Sequence, residues 1–307
     1  MDMRRAMIFG GLCCAAGVAL AAHGFGNATA PTGREWEQEQ NLSYNKEPAR
    51  AWAFSFTDLD SAKRILPWFS ARWRSLDSTT EWKFKWSKDP ASRPVGFQDP
   101  AYDVSGWETI VVPASWQAMG ADPERKQGWG TALYSNQPYP FKRDWPHVMG
   151  EPDPRFTNHD ARNPVGSYRR TFTVPADWAD EEVYLRFDGV DSFFYLWVNG
   201  RYVGFSKDSR DAAEFRVTPY LVPGDNVVAL EVYRYSDGSY LECQDMTRLS
   251  GIFRTVQLYA VPKLHVRDFF ATTEPLDWSR MDGRWELTVD VDLENLNAPD
   301  APAAATL

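Results

Sequence analysis

The chain is poor in cysteine, in positive charge and in long apolar runs. It has three cysteines in 307 residues, and two of them, Cys13 and Cys14, lie inside an N-terminal apolar run. Removal of that run leaves Cys243 alone, so a processed chain has no intrachain disulfide. There is no paired CxxC motif to hold a metal. A net charge of -9 and the lack of a basic patch argue against nucleic acid and anionic membrane as partners. No segment alternates strand and helix in the βαβ manner, which argues against a (β/α)8 barrel in these residues. The apolar run from Ala6 to Ala22 is shorter than a typical spanning helix. Arg4 and Arg5 precede it, and Ala19-Leu20-Ala21 supplies a small-x-small cleavage site. Met1 to Ala30 therefore reads as a signal peptide, with export to the periplasm or beyond and no membrane attachment after cleavage.

Aromatic residues are abundant. They make up 15% of the chain, with 14 Trp, and 43% of all residues are hydrophobic. Such a chain can bury a sizeable core in one or two domains. An exposed indole can stack on the apolar face of a sugar ring, and a buried one fills the core of a β-sandwich.

Pro31 to Arg50 is polar and lacks periodicity, which predicts an extended N-terminal arm, taken over residues 31–75 with a possible short helix. Asp58 to Phe69 can hold one short helix, with Thr57 or Asp58 as N-cap and Pro67 as stop. From Leu76 the pattern turns to β. Thr80 to Trp86 alternates, with Trp82, Phe84 and Trp86 on one face, and Thr109 to Pro113 is a short buried strand. Gln117 to Pro164 is a long Pro- and Gly-rich loop, and loops of that length in compact domains are more often functional than incidental. Further strands follow at Ser167–Val174, Glu182–Asp188, Ser192–Val198, Tyr202–Phe205, Glu214–Val217 and Val227–Tyr235. Asn199-Gly200 marks a tight hairpin, because both residues tolerate positive φ. Many short strands with regular turn signals predict an all-β sandwich. After Pro262, Leu264–Glu274 and Trp285–Leu293 form two more alternating strands around Asp282-Gly283. Two strands cannot bury a sandwich core, so residues 262–307 read as the incomplete start of a second domain with a disordered tail after Asn295.

Between Val227–Tyr235 and a strand at Thr255–Tyr259 lies a long polar connection, Ser236 to Arg254 (SDGSYLECQDMTRLSGIFR). It carries Asp237, Glu242 and Asp245, with Arg248 and Arg254 nearby. Carboxylates on a rigidly framed loop can bind a cation or sugar hydroxyls; a solvated loop with ion pairs is the plainer account. Two of these carboxylates can in principle form a catalytic dyad, but a dyad needs a substrate cleft, and nothing else in the sequence supplies one.

Three blocks, Tyr134–Phe141 (YSNQPYPF), Phe187–Leu221 and Ser236–Arg254, resemble in order the N-terminal part of the family 2 glycoside hydrolases, the large β-galactosidases in particular. Tyr44–Phe54 (YNKEPARAWAF) resembles the start of the mature enzymes, and Asp103–Trp107 and Pro113–Trp116 fit the same pattern. The likeness spans roughly Leu42 to Val261. It implies a jelly-roll, galactose-binding-domain-like β-sandwich at 76–261, followed by the start of an immunoglobulin-like β-sandwich. It also implies a retaining hydrolysis of terminal β-D-galactose. In such an enzyme two carboxylates flank the scissile bond about 5–5.5 Å apart. In this family both lie on a barrel that follows the sandwiches, so no catalytic residue is expected in this chain.

By the same resemblance Asn136 and Asp245 contact the galactosyl unit, and Asp245 helps hold a sodium ion. An amide offers both a donor and an acceptor to vicinal hydroxyls, and a carboxylate oxygen suits a hard cation. Asp237 matches a carboxylate near a peripheral magnesium ion in some members. Within Phe205–Arg210, however, Lys207 stands where a neutral ligand is expected, and an ammonium cannot ligate magnesium. Thr247 stands where an aromatic residue is familiar, which alters the wall beside Asp245. The expected partner is a β-galactoside or oligosaccharide, and the family implies homo-oligomers of the full-length enzyme. The alternative is a stand-alone carbohydrate-binding module without catalysis; calorimetry with galactosides discriminates the two, and the unfinished second sandwich speaks against the module.

Overall fold

The computed structural model describes residues 28–119, 128–136, 138–155, 162–242, 244–276, 279 and 284–297. The segment predicted as a signal peptide therefore lies outside the described residues except for Ala28 to Ala30, as do all three cysteines, Asp282-Gly283 and the tail beyond residue 297. In chain order the strands are β1 (Ser43–Tyr44), β2 (Trp73–Ser75), β3 (Ser78–Ser87), β4 (Glu108–Val112), β5 (Leu133–Ser135), β6 (Val165–Thr173), β7 (Glu182–Phe187), β8 (Val190–Asp191), β9 (Phe193–Val198), β10 (Arg201–Ser206), β11 (Ala213–Arg216), β12 (Asp225–Tyr233), β13 (Met246–Arg248), β14 (Gly251–Ile252), β15 (Val256–Val261), β16 (Leu264–Pro275) and β17 (Trp285–Asn295). Two short helices, α1 (Leu59–Arg64) and α2 (Trp116–Met119), accompany them. Strands β1-β10-β9-β12-β6-β3-β4 form a seven-stranded sheet, and β11-β7-β15-β2 form a four-stranded one. All pairings among the described residues are antiparallel.

This is the all-β sandwich that the alternation predicts. Strand β9 shows how the sequence builds it. Its six residues, FFYLWV, are all buried. Phe194, Leu196 and Val198 enter the core between the sheets, with Trp82, Phe84, Leu185 and Phe215. Phe193, Tyr195 and Trp197 point the other way, into a second cluster with Trp36, Phe97, Phe141, Tyr233 and Tyr240. A strand covered on both faces needs a continuous apolar run, since period-2 alternation sends every residue to one cluster or the other. The β9–β10 turn is the predicted one: Asn199 and Gly200 have φ of 52° and 76°, and Arg201 pairs with Val198. Helix α1 starts where expected, with the Asp58 carboxylate accepting from the Ser61 amide.

The arm is where the structure adds most to the sequence reading. Residues 31–75 do not run free of the domain. Glu35 and Trp36 are buried on the outer face of the large sheet, β1 adds an edge strand to β10, and β2 joins the small sheet beside β15. The Arg50 guanidinium meets Glu214 at 3.0 Å, and Trp52 lies 4.3 Å under that of Arg186. The arm docks through single, irregularly spaced side chains, and such anchors leave no period for a sequence pattern to reveal.

One glycine is needed for this docking. A Cβ at Gly204 would strike the Tyr44 carbonyl oxygen, a backbone atom that cannot swing away. The strand bulges here, and the freed Val203 carbonyl accepts from the Asn45 side chain at 2.8 Å. Gly204→Ala is therefore expected to push β1 off the sheet at a cost of about 1–3 kcal/mol, seen as faster protease cleavage of residues 39–50.

Strands β16 and β17 pair along their length as a separate hairpin. Phe270, Leu287 and Trp285 on it are more than half exposed. Among the described residues no helix is long and apolar enough to cross a membrane.

Candidate functional site

Strand β12 belongs to the large sheet and β15 to the small one, so Ser236–Arg254 crosses between the two. The crossing is anchored rather than solvated. Ser236, Asp237, Ser239, Tyr240, Arg248 and Ser250 are all buried. Ser236 and Ser239 close a capping box over the turn Asp237–Tyr240, and the Ser236 hydroxyl meets that of Ser192 at 2.7 Å. The Tyr240 hydroxyl accepts from the Asp144 amide at 3.0 Å and donates to the His147 carbonyl at 2.6 Å. Tyr139 in turn donates to the Tyr240 carbonyl at 3.0 Å. Tyr240 thus ties the crossing to the second long loop, the one predicted at Gln117–Pro164.

The two loops also share a ladder. Strand β5, from the 117–164 loop, pairs with β13, from the crossing: Leu133 with Arg248, Tyr134 with Thr247, Ser135 with Met246. Just past the ladder stand Asn136 and Asp245. The Asp245 amide donates to the Asn136 carbonyl at 3.4 Å, and the Tyr134 hydroxyl donates to Asp245 Oδ1. This hydrogen bond pushes the Tyr134 phenol above its ordinary pKa. Asp245 has φ of 55°, a left-handed conformation that Asp tolerates better than most residues. Asn136 and Asp245, 109 residues apart in sequence, are exposed side by side on one edge.

Arg248 holds this edge from beneath. It is buried, its Nε donates to Ser135 Oγ at 2.9 Å, and its Nη1 donates to the Ser239 carbonyl at 3.2 Å. Its guanidinium also lies 5.5 Å from the ring centroid of Tyr139. One side chain thus joins β5, the capped turn and the Tyr139 loop. Tyr134 and Arg248 are the partners that sequence reasoning gave no role. Their only signal was proximity, Tyr134 two residues before Asn136 and Arg248 three after Asp245.

The other carboxylates of the crossing are engaged elsewhere. Glu242 accepts from the Ser209 amide at 3.0 Å and from its hydroxyl at 2.6 Å. Asp237 Oδ2 meets Lys207 Nζ at 2.7 Å, and only 4% of either side chain is exposed. Burial works against both charges, lowering the Lys207 pKa and raising that of Asp237, while the bond between them opposes each shift. These residues do not fit a divalent cation, since the ammonium already sits on the carboxylate. A dyad drawn from Asp237, Glu242 and Asp245 gains no support, because Asp237 and Glu242 are bound to Lys207 and Ser209 of the protein itself. Among the described residues no three His, Cys, Asp or Glu side chains cluster as metal ligands.

Residues 73–262 match the family described as glycosyl hydrolases family 2, sugar binding domain. The chain belongs to this family. The β-galactosidase of Priestia megaterium is 37% identical over 262 residues, which are 85% of this chain and 24% of that protein. The β-galactosidase of Vibrio cholerae is 43% identical over 194 residues, 63% of this chain and 17% of that protein. This family 2 chain thus spans about a quarter or less of the curated relatives it matches. Among solved structures, a calcium-binding mutant of Bacteroides uniformis β-glucuronidase 2 superposes with a TM-score of 0.52 at 22% identity, covering 74% of this chain and 23% of that one. That likeness shows the shared fold.

Proposed function

We propose that this chain is the N-terminal portion of an exported β-galactosidase-type hydrolase. It lends Asn136 and Asp245 to a sugar site whose acid/base and nucleophile lie on a catalytic domain outside these residues. The observation that carries the reading is the β5–β13 ladder, which sets an amide and a carboxylate side by side and exposed. That pair suits vicinal hydroxyls of a terminal β-galactoside, the amide giving and accepting while the carboxylate accepts. The β-galactosidase relatives support the substrate class. Asp245, with the neighbouring Asn136 and Tyr134 oxygens, offers hard donors that fit a sodium ion in part, its remaining ligands coming from elsewhere. The N-terminal leader supports delivery to the periplasm or beyond, and the full-length enzyme would be a homo-oligomer.

The 307-residue chain alone is expected to leave a chromogenic β-galactoside uncleaved. Fused to the remaining three quarters of the P. megaterium relative, it is expected to support hydrolysis. In that hybrid, Asn136→Ala or Asp245→Ala should lower kcat/KM about 10- to 100-fold, the worth of one or two hydrogen bonds to a sugar hydroxyl. Turnover by the isolated chain would contradict the proposal, since the catalytic carboxylates would then have to be here.

A further inference from the structure

Lys207 is placed as a cation would be. Its Nζ touches the Asp237 carboxylate at 2.7 Å and the Gln38 carbonyl at 2.8 Å. Gln38 belongs to the N-terminal arm and Asp237 to the capped turn of the crossing, so this one ammonium joins two segments 199 residues apart in sequence. The backbone amide of Lys207 also donates to the Leu42 carbonyl at 3.0 Å, which grips the arm a second time, just ahead of β1. The charge around Lys207 is negative: the carboxylates of Asp237, Glu39 and Glu35 all act on it. A buried carboxylate with a second carboxylate nearby and a carbonyl aimed at the same point calls for a positive charge, because desolvated anions are costly unless paired. A small divalent ion meets such a need through oxygen ligands and retained waters. An ammonium on a four-carbon stem meets it with a covalently tethered point charge and three donors.

We propose that the Lys207 ammonium is a built-in substitute for a divalent cation at Asp237, and that it makes the junction between the arm and the crossing independent of metal. In family members that resemble this chain, the resemblance places a peripheral magnesium near the carboxylate matching Asp237, with a neutral ligand at the position of Lys207. Here the ligand and the ion are merged into one side chain. The exchange removes the concentration dependence of the clamp. A bound ion stabilises only as far as its free concentration exceeds its Kd, whereas a tethered charge is always present. A protein exported to surroundings of variable metal content would keep its arm docked throughout.

The test needs no enzymatic activity, so its failure is separate from failure of the functional proposal. Thermal unfolding of the 307-residue chain is measured in chelator, in plain buffer and in millimolar magnesium. Its Tm is expected to agree within about 1 °C across the three; a drop in chelator or a saturable rise with magnesium overturns the proposal. Lys207→Met keeps the stem and removes the charge. Cleavage of residues 39–46 by a nonspecific protease is expected to speed up at least about tenfold in that variant, with or without magnesium. Lys207→Gln should show the same acceleration in chelator and a return toward the wild-type rate in magnesium, as the amide oxygen completes a ligand set with Asp237 and Gln38. A Lys207→Met arm as resistant as the wild type, or a Lys207→Gln arm indifferent to magnesium, overturns it. Should neither variant fold, the chelator and magnesium response of the wild-type chain decides the matter alone.

Discussion

Replacement of Phe84 by alanine is expected to lower the unfolding free energy by about 3–5 kcal/mol. Phe84 is fully buried on β3, within the core between the sheets. Its ring lies 4.6 Å from that of Trp129, 4.8 Å from that of Tyr168 and 6.1 Å from that of Trp116. Alanine forfeits both the transfer energy of the ring and the contacts of three large neighbours that cannot collapse into the gap. Gly166 on the adjacent strand closes the same space: a Cβ there would lie 2.7 Å from the Trp116 ring and 2.8 Å from that of Phe84. With no side chain at Gly166 to fill it, the cavity stays open. Against a typical total of about 5–15 kcal/mol, this loss is large. Urea unfolding followed by tryptophan fluorescence measures it as a lower midpoint. Lys85→Ala, at the exposed neighbouring position, should change stability by less than about 0.5 kcal/mol. Equal effects from the two substitutions would place the core elsewhere.

Arg248→Met is expected to act locally, and its largest effect falls on the candidate site. The substitution leaves the Ser239 carbonyl without its Arg248 bond and removes the Ser135 tie, at a cost of about 1–3 kcal/mol. The β5–β13 ladder is only three residue pairs long, so its stability rests on that anchor. Amide hydrogen exchange across Leu133–Ser135 and Met246–Arg248 should accelerate at least about tenfold, while exchange in β9 and β12 changes much less. In the hybrid enzyme kcat/KM should fall by about as much as for Asn136→Ala, although Arg248 is buried and touches no substrate. Arg248→Lys should not rescue either readout. A single ammonium lacks the planar fork that lets the guanidinium serve Ser135 and Ser239 in two directions beside the Tyr139 ring. Uniform acceleration of exchange throughout the sandwich would show instead that Arg248 supports the whole fold rather than this edge.

Much of the candidate site was legible because its residues sit in blocks that resemble a known family. Asn136 and Asp245 were nominated in this way, and the ladder places them in contact. Nothing in their local sequence announced that contact. Strands β5 and β13 are three residues each and carry no usable period. Asp237 was legible as a carboxylate on an important loop, but its partner was not. The departure at Lys207 signalled that a magnesium site was in doubt. That the ammonium also reaches Gln38 depends on where the arm runs, and the arm has no periodic pattern.

The sequence by itself determined the sandwich. Alternation along β3, β6, β7, β12 and β15, the continuous apolar run of β9 and the Asn199-Gly200 turn specify strands that must bury one or both faces. The physical reason is that period-2 patterning and turn geometry are local properties, written within a few residues of each other. Tertiary structure decided the rest: the arm laid across both sheets, Tyr240 and Arg248 tying two loops into one edge, and an ammonium seated on a buried carboxylate. Tyr240 to Asp144, Arg248 to Ser135 and Lys207 to Gln38 join residues about 100 to 170 positions apart through single side chains, with geometry set only when the two sheets close on their shared core.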